Sequence, residues 1–218
     1  MPIRRIIVPT QLEKDARQLA DEVNGNLLII ADSVLTQDTC DVIINVLEGL
    51  PISNVNLDED TGKMESENPL DMESSWRYIH PQAQHDVAVL QQGTNQFEQV
   101  LHLVEAYMPK TQDFGEITYA TIMKYPKDTH FNWHQDSADQ NDTGTCIFML
   151  NEEYEGGRLN VEGHTILPRR GTMVAFNNST IRWHSVEPIF QGERYVFLVW
   201  FRKAEEENSD ERDEMQSV

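Results

Sequence analysis

Positive charge is scarce in this sequence. Its 218 residues include 17 Lys and Arg residues against 37 Asp and Glu residues, so the formal net charge at pH 7 is −20. A chain of that charge repels phosphate backbones and anionic lipid surfaces. The composition therefore predicts that neither nucleic acid nor a membrane is a binding partner.

Cysteines and long apolar runs are scarce as well. Cys40 and Cys146 are the two cysteines, and neither has the neighbours that a zinc ribbon or a disulfide framework requires. No segment approaches the roughly 20 apolar residues of a membrane span, and the opening "MPIRRIIVPTQLEKD" lacks the apolar core of a signal peptide. We expect a cytoplasmic protein, and no pattern indicates an oligomeric state.

The length and composition fit one folded domain. A chain of 218 residues that is 39% hydrophobic can bury a substantial core, and mainly β domains of this size are common. We expect a single domain over residues 1–203. Residues 204–218, which include "EEENSDERDEMQSV", have almost no apolar side chains, and this composition predicts a disordered acidic tail.

The first half of the chain carries strand and helix patterns. Short apolar runs predict strands at "RRIIV" and "NLLIIAD", and apolar residues at helical spacing predict a helix after each strand. Thr36 is the expected N-cap of the second helix. A third helical pattern lies before residue 115. The positions expected to be buried are Leu12, Ala16, Leu19, Ala20 and Val23 in the first helix, Cys40, Ile43, Ile44 and Leu47 in the second, and Phe97, Val100, Leu101, Val104 and Met108 in the third.

Residues 51–85 show no sustained period and many acidic and turn residues. We interpret this segment as a long loop with two isolated aromatic residues, Trp76 and Tyr78. Loops of this length inside compact domains are often lids or binding segments. The segment is therefore a candidate lid over a binding site.

From Gly115 to Arg202 the pattern changes to short strands separated by turns. Several such strands preceded by helices predict an α+β, mainly β architecture, a sandwich or jelly roll buttressed by N-terminal helices. Period-two alternation predicts which side chains share a face. These sets are Ile117, Tyr119, Thr121, Met123 and Tyr125 in "EITYATIMKY", and Arg194, Val196, Leu198, Trp200 and Arg202 in "RYVFLVWFR".

A candidate metal site lies in "HFNWHQD". His134 and Asp136 are two residues apart, so on an extended strand both side chains leave the same face. The pair alone is weak support for a metal site, because such pairs occur by chance. His184 in "IRWHSVEP" is a candidate third ligand, since its segment is expected to pack against that strand. Two histidines and one carboxylate with open positions are typical of non-heme Fe(II) oxygenases.

Arg194 is the second unusual residue. Its same-face neighbours Val196, Leu198 and Trp200 are apolar, so the guanidinium is expected to point into the interior. A buried charge needs a partner, and the adjacent inward positions offer no obvious carboxylate. A carboxylate of a bound ligand would fit the bidentate fork of arginine.

Three motifs of the strand region together resemble the prolyl 4-hydroxylase branch of the 2-oxoglutarate- and Fe(II)-dependent dioxygenases, which includes the animal oxygen-sensing prolyl hydroxylases. They are "YPKDTHFNWHQD", "TCIFMLNEEYEGGRLNV" and "TMVAFNNSTIRWHSVEPIFQGERYVFLVWF". The resemblance covers residues 116–202, and "LLIIADSVLTQDTCDVII" adds a weaker match. It implies a double-stranded β-helix core and iron held by His134, Asp136 and His184.

The resemblance also implies a binding site for the cosubstrate 2-oxoglutarate. Arg194 would pair with its distal carboxylate, Tyr125 would hydrogen-bond the same group, and Leu159 would form an apolar wall. Met149 stands where many relatives have a second tyrosine, so one polar contact to the cosubstrate is expected to be missing. Asp128 stands where a glycine is common.

The implied activity is hydroxylation with Fe(II), 2-oxoglutarate and O2, and we also consider ascorbate as an accessory reductant. The first choice of substrate is a prolyl residue in a peptide or protein. Two alternatives stay open: hydroxylation of a free amino acid or small metabolite, and a non-catalytic, cupin-like metal-binding protein. Arg194 separates the classes, because a metal site without oxygenase activity has no need of it.

Overall fold

Strands dominate the described part of the chain, which in a computed structural model comprises residues 4–8, 27–57, 64–66, 74–108, 114–136, 142–178 and 183–203. Two α-helices lie there, α1 (Gln37–Gly49) and α2 (Asn95–Val104), and the 3-10 helix Glu105–Tyr107 follows α2. The strands are β1 Arg4–Val8, β2 Leu27–Ala31, β3 Val55–Leu57, β4 Met64–Ser66, β5 Trp76–Ile79, β6 Asp86–Leu90, β7 Glu116–Tyr125, β8 Phe131–His134, β9 Asp142–Met149, β10 Glu155–Gly156, β11 Leu159–Val161, β12 His164–Ile166, β13 Met173–Asn177, β14 His184–Val186, β15 Ile189–Gln191 and β16 Arg194–Arg202.

The described strands form one large sheet of eight strands, one small sheet of four strands, and two further two-stranded sheets, β3-β4 and β10-β15. The large sheet has the order β1-β2-β13-β9-β16-β7-β6-β5, and the small sheet has the order β12-β11-β14-β8. From β7 onward the chain crosses repeatedly between the two sheets, because β7, β9, β13 and β16 lie in the large sheet and β8, β11, β12 and β14 in the small one. This alternation is that of a double-stranded β-helix, so the predicted jelly-roll core is confirmed.

The helices pack on one face of the large sheet. The side chains of Thr36 and Thr94 cap α1 and α2 by accepting hydrogen bonds from the backbone N–H groups of Thr39 and Phe97, at 3.2 and 3.3 Å. The buried stripes of both helices join one apolar cluster with the facing strands. Its helical members are Cys40, Ile43, Leu47, Phe97, Val100 and Val104.

Period-two alternation along β16 divides the core into two parts. Phe197, Val199 and Phe201 face the helices, whereas Val196 and Leu198 belong to a second cluster between the two sheets. The predicted inward face of β16 is therefore the face that looks between the sheets. Ile117 differs from the prediction: it packs with the helix-side cluster, because a β-bulge shifts the register of β7 and β16 at Trp200 and Phe201.

The interpretation of residues 51–85 as a loop throughout is wrong. Trp76 and Tyr78 are buried in β5, which extends the large sheet by pairing with β6, and their rings stack 4.9 Å apart. Residues 76–79 form a strand because they hydrogen-bond to β6 at the sheet edge, although their segment has no sustained alternation of apolar and polar residues. A role of the segment as a lid stays a prediction.

The expected first helix (Leu12 to Val23) and the acidic tail (204–218) lie outside the described residues.

Neither helix in the described ranges is long and apolar enough to cross a membrane. The two cysteines are free and buried, and burial raises the pKa of the Cys40 thiol to about 11. Both residues therefore belong to the packed core on the helix side of the large sheet.

Candidate active site

Two histidines and an aspartate meet between the sheets. The pairing of β8 with β14 places His134 directly opposite His184, and Asp136 follows two residues after the end of β8. Oδ1 of Asp136 lies 3.1 Å from Nε2 of His184 and 3.5 Å from Nε2 of His134. The ligand atoms of all three side chains lie within 4.8 Å of one another.

Hydrogen bonds orient these side chains. Nδ1 of His134 donates to the backbone carbonyl of Asn132 at 2.8 Å, so in the neutral ring the Nε2 lone pair faces Asp136. The hydroxyl of Thr145 donates to Oδ2 of Asp136 at 2.5 Å. Burial opposes ionisation of Asp136, but the neighbouring rings of His134 and His184 and the hydroxyl of Thr145 lower its pKa far below the usual range. Asp136 is thus a carboxylate.

The three residues fit a divalent transition metal. Donor atoms 3.1 and 3.5 Å apart can share one ion at about 2 Å from each, as adjacent ligands do. Neutral imidazole and carboxylate on one side of an ion, with the remaining positions open, suit Fe(II) that binds further ligands. Nδ1 of His184 is buried without a hydrogen-bond partner, so no acceptor fixes the tautomer of that ring.

Arg194 begins β16 and is almost fully buried, with 1% of its surface exposed. Its Nε and Nη1 atoms are buried and have no hydrogen-bond partner. Because an unpaired buried charge is costly, the guanidinium is a site for an anion. A ligand carboxylate would satisfy these donors, as the sequence predicts.

Tyr125 lies directly beside Arg194. The two residues are paired across β7 and β16, and Cζ of Arg194 lies 4.8 Å from the centroid of the Tyr125 ring. Burial raises the pKa of the Tyr125 phenol, and Arg194 offsets part of that rise. The phenol is therefore a neutral hydrogen-bond donor, and its contact with Sδ of Met123 is long at 3.9 Å.

A single cavity of about 450 Å³ joins the metal ligands to Arg194 and Tyr125. Leu159 lies in its wall, where the resemblance implies it. Met149 does not: it is buried at the end of β9 among the apolar residues between the sheets and does not line the cavity. The other apolar wall residues are Ile147, Val186, Val196 and Leu198.

The sequence did not predict His80 and His85 as cavity residues, and it indicated Tyr78 only as part of a candidate lid and Thr121 only as part of a strand face. His85, Tyr78 and His80 enter from β5 and its connection to β6, a stretch that has no sustained pattern. His85 is buried, donates from Nε2 to the carbonyl of His130 at 3.1 Å, and packs its ring 4.3 Å from that of Tyr125. Thr121 also lines the cavity, and its buried hydroxyl has no partner.

Comparisons with known proteins agree with this geometry. Residues 120–202 match the family model of the 2OG-Fe(II) oxygenase superfamily. A search of the curated proteins found no match.

Similar solved structures include three prolyl hydroxylases. A prolyl hydroxylase from Trichoplax adhaerens, in complex with a hypoxia inducible factor oxygen degradation domain peptide fragment, has a TM-score of 0.62 at 14% identity and covers 96% of both chains. The viral collagen prolyl hydroxylase of Paramecium Bursaria Chlorella virus-1, in its 2OG complex, has a TM-score of 0.54 at 15% identity and covers 82% of this chain and 96% of that one.

A Pseudomonas putida prolyl-4-hydroxylase has a TM-score of 0.54 at 18% identity, with 81% of this chain and 92% of that chain covered. At these identities the solved structures establish a shared fold. The segment that matches the family model contains the three candidate metal ligands, His134, Asp136 and His184, and also Arg194. Residues 120–202, which hold all four of these side chains, are therefore similar to the 2OG-Fe(II) oxygenase superfamily.

Proposed function

We propose that this protein is a 2-oxoglutarate- and Fe(II)-dependent oxygenase that hydroxylates a prolyl residue in a peptide or protein. The observation that carries the oxygenase part is the buried guanidinium of Arg194, which lacks partners at Nε and Nη1 and lines the same cavity as the three metal ligands. A protein that only stored or sensed a metal would have no use for that charge.

The metal ligands and the anion site have separate tasks. His134, Asp136 and His184 would hold Fe(II), with Thr145 fixing the second oxygen of the aspartate. Arg194 would form a bidentate ion pair with the distal carboxylate of 2-oxoglutarate, and Tyr125 would donate a hydrogen bond to it. When bound, iron and 2-oxoglutarate supply the oxidative decarboxylation that lets O2 hydroxylate an unactivated C–H bond.

The cavity wall orients the cosubstrate and excludes water. Leu159 and Val196 belong to the apolar cluster between the sheets, and both are almost fully buried. The walls between the metal ligands and Arg194 are largely apolar, so the main polar groups lie at the two ends of the cavity. An extended dicarboxylate would therefore bind in one orientation. The chain would thereby direct the keto end of 2-oxoglutarate to the metal ligands and its distal carboxylate to Arg194.

The charges of the cavity favour a neutral substrate group. Apart from histidines, Asp136 and Arg194 are the charged residues among the described lining residues. Asp136 would bind iron, and Arg194 would bind 2-oxoglutarate. A free amino acid would bring an ammonium and a carboxylate group without such partners. A prolyl residue within a peptide has neither charge at its ring, and Tyr78, Phe131 and Trp200 offer aromatic surface in the lining for it.

The similar solved structures support the same substrate class. Those from the virus, from Pseudomonas putida and from Trichoplax adhaerens are prolyl hydroxylases, and the last was solved with a peptide fragment. Ascorbate as an accessory reductant stays a prediction.

The test is mass spectrometry of a proline-rich peptide panel incubated with protein, Fe(II), 2-oxoglutarate and ascorbate. We expect the gain of one oxygen atom on a prolyl residue, with release of one succinate per event, and no gain on matched peptides with alanine in place of proline. The Asp136→Ala protein is the control for metal-dependent turnover. Oxygen incorporation into free amino acids but into no peptide would overturn the substrate class, and absence of succinate with every substrate would overturn the enzymatic reading.

A further inference from the structure

Tyr154 has a buried hydroxyl group without a hydrogen-bond partner. The residue lies between β9 and β10, within the motif "TCIFMLNEEYEGGRLNV", and the resemblance implies no role for it. Buried unpaired hydroxyls are uncommon, and each one indicates a missing partner. The partner of Tyr154 is therefore to be sought among groups that bind next to it.

Tyr154 and Arg194 pack against the same point of the backbone. A Cβ atom on Gly157 would lie 2.9 Å from Cε2 of Tyr154 and 3.1 Å from Cδ of Arg194. Gly157 has a φ of +63° and would also meet Ile189 at 2.5 Å, so a larger residue is excluded here. The glycine thus lets the two side chains come together, and each has buried polar atoms without partners.

The charge state of Tyr154 suits a hydrogen-bond donor. Burial raises the pKa of its phenol, and the positive charge of Arg194 offsets part of the rise. The neutral hydroxyl can donate to an anion that Arg194 binds. Arg194 lines the cavity whereas Tyr154 does not, so the guanidinium is the part of this pair that faces a ligand in the cavity.

We propose that Tyr154 donates its hydroxyl hydrogen to the distal carboxylate of 2-oxoglutarate beside Arg194. The contact replaces the one that is missing at Met149, which is buried at the end of β9 and has no donor. The anion site would then consist of three residues. Arg194 and Tyr125 lie on the paired strands β16 and β7, and Tyr154 lies in the connection between β9 and β10. This inference rests on the proposed use of 2-oxoglutarate.

The test compares two ligands in the Mn(II)-loaded, oxygen-free protein, with affinities measured by calorimetry. One ligand is 2-oxoglutarate, and the other is 2-oxopentanoate, in which a methyl group replaces the distal carboxylate, measured as a competitor. We expect Tyr154→Phe to weaken 2-oxoglutarate about 10-fold or more, as for a lost hydrogen bond to a charged group, and to leave 2-oxopentanoate unchanged. Tyr107→Phe, a half-buried tyrosine of the helix-side cluster, is the matched control.

Two results would overturn the proposal. Unchanged 2-oxoglutarate affinity in Tyr154→Phe would mean that the hydroxyl does not reach the carboxylate. Equal weakening of both ligands would mean that Tyr154 acts on the shape of the site. The variant keeps the ring, and its melting temperature without ligand checks that the fold is intact. Arg194→Ala run in parallel separates the hypotheses, because unchanged affinity there would instead remove the proposed cosubstrate site altogether.

Discussion

Among the side chains that the structure describes in the large sheet, Arg77 and Arg194 are buried, and they differ in whether the fold supplies partners for the charge. Arg77 in β5 faces α1, and its guanidinium makes a bidentate ion pair with Asp86 at 2.8 and 2.6 Å. It also reaches Glu48 at 3.0 Å and the carbonyl of Leu47 at 3.0 Å, near the end of α1. Every part of that charge has a partner within the chain, so its role is to tie the helix to the sheet edge.

Arg194 in β16 faces the other side of the sheet. It is more deeply buried than Arg77, with 1% against 7% of its surface exposed, yet Nε and Nη1 have no partner. Such a buried and unpaired guanidinium lowers the stability of the fold, because desolvation of a charge is costly. Selection for stability alone would therefore not retain Arg194. A satisfied arginine supports the fold, whereas an unsatisfied one at a cavity supports a ligand.

The most severe loss is expected at the metal ligands of the cavity. Asp136→Ala, His134→Ala and His184→Ala should each abolish 2-oxoglutarate turnover, since an open site with three ligands cannot lose one and still hold the metal correctly. Succinate release measures turnover, and circular dichroism measures the fold, which should stay nearly intact. His164→Ala is the control, because this half-buried histidine in β12 lies outside the site. Wild-type turnover in Asp136→Ala or His184→Ala would contradict the assignment.

Removal of Arg77 should reduce stability and spare the cavity. Arg77→Ala leaves Asp86 buried without its partner, which typically costs about 3 to 5 kcal/mol of unfolding free energy. Replacing both residues, as Arg77→Met with Asp86→Leu, should recover most of the loss because no charge stays buried. Denaturant titration measures the stability, and the affinity of the folded protein for 2-oxoglutarate should not change. A fully stable Arg77→Ala protein would show that the contrast between the arginines is false.

Removal of Arg194 should have the opposite effect. Arg194→Ala should weaken 2-oxoglutarate binding by tens-fold to thousands-fold, corresponding to about 2 to 5 kcal/mol for a broken buried ion pair, while metal binding survives. Arg194→Lys should recover part of the loss, since lysine keeps the charge but not the planar fork. Unfolding without ligand should be no easier than in the wild type. Titration of 2-oxoglutarate into the Mn(II)-loaded proteins is the measurement, and unchanged affinity in Arg194→Ala would refute the anion site.

Local periodicity explains what the sequence could predict. Alternation along β16 is a property of any strand, so the inward position of Arg194 follows from its spacing to Val196 and Leu198. His134 and Asp136 stand two apart, and His184 was a candidate ligand because its segment was expected to pack against that strand, as the pairing of β8 with β14 shows. These features depend on short segments or on motifs, which a single sequence displays.

The features that were missed depend on long-range pairing. Trp76 and Tyr78 become a strand only because β6 offers its edge, and His85 reaches the cavity only through the same pairing. The bulge that turns Ile117 to the helix side has no signature in "EITYATIMKY". The contact of Tyr154 with Arg194 needs the close approach at Gly157, which a pattern of paired glycines indicates only as a turn.

The smallest effect is expected from His85, which lies beside the Tyr125 ring that Arg194 also contacts. Burial lowers the pKa of His85 to about 4. The unfolded chain, with an ordinary histidine pKa near 6.5, then binds more protons than the fold between about pH 6.5 and pH 4. Stability is therefore complete above that window and decreases as the pH falls, by about 2 kcal/mol between pH 7 and pH 5 from this group.

His85→Gln isolates that contribution, because glutamine can still donate to the His130 carbonyl but does not titrate. Denaturant titrations of the wild type and the variant at pH 7 and pH 5 are compared, and the wild type should lose about 2 kcal/mol more than the variant. His80, whose pKa burial also lowers, is present in both proteins and cancels from the difference. Equal losses in the two proteins would mean that water reaches His85. The imidazole packed on Tyr125 would then not exclude water from the anion site.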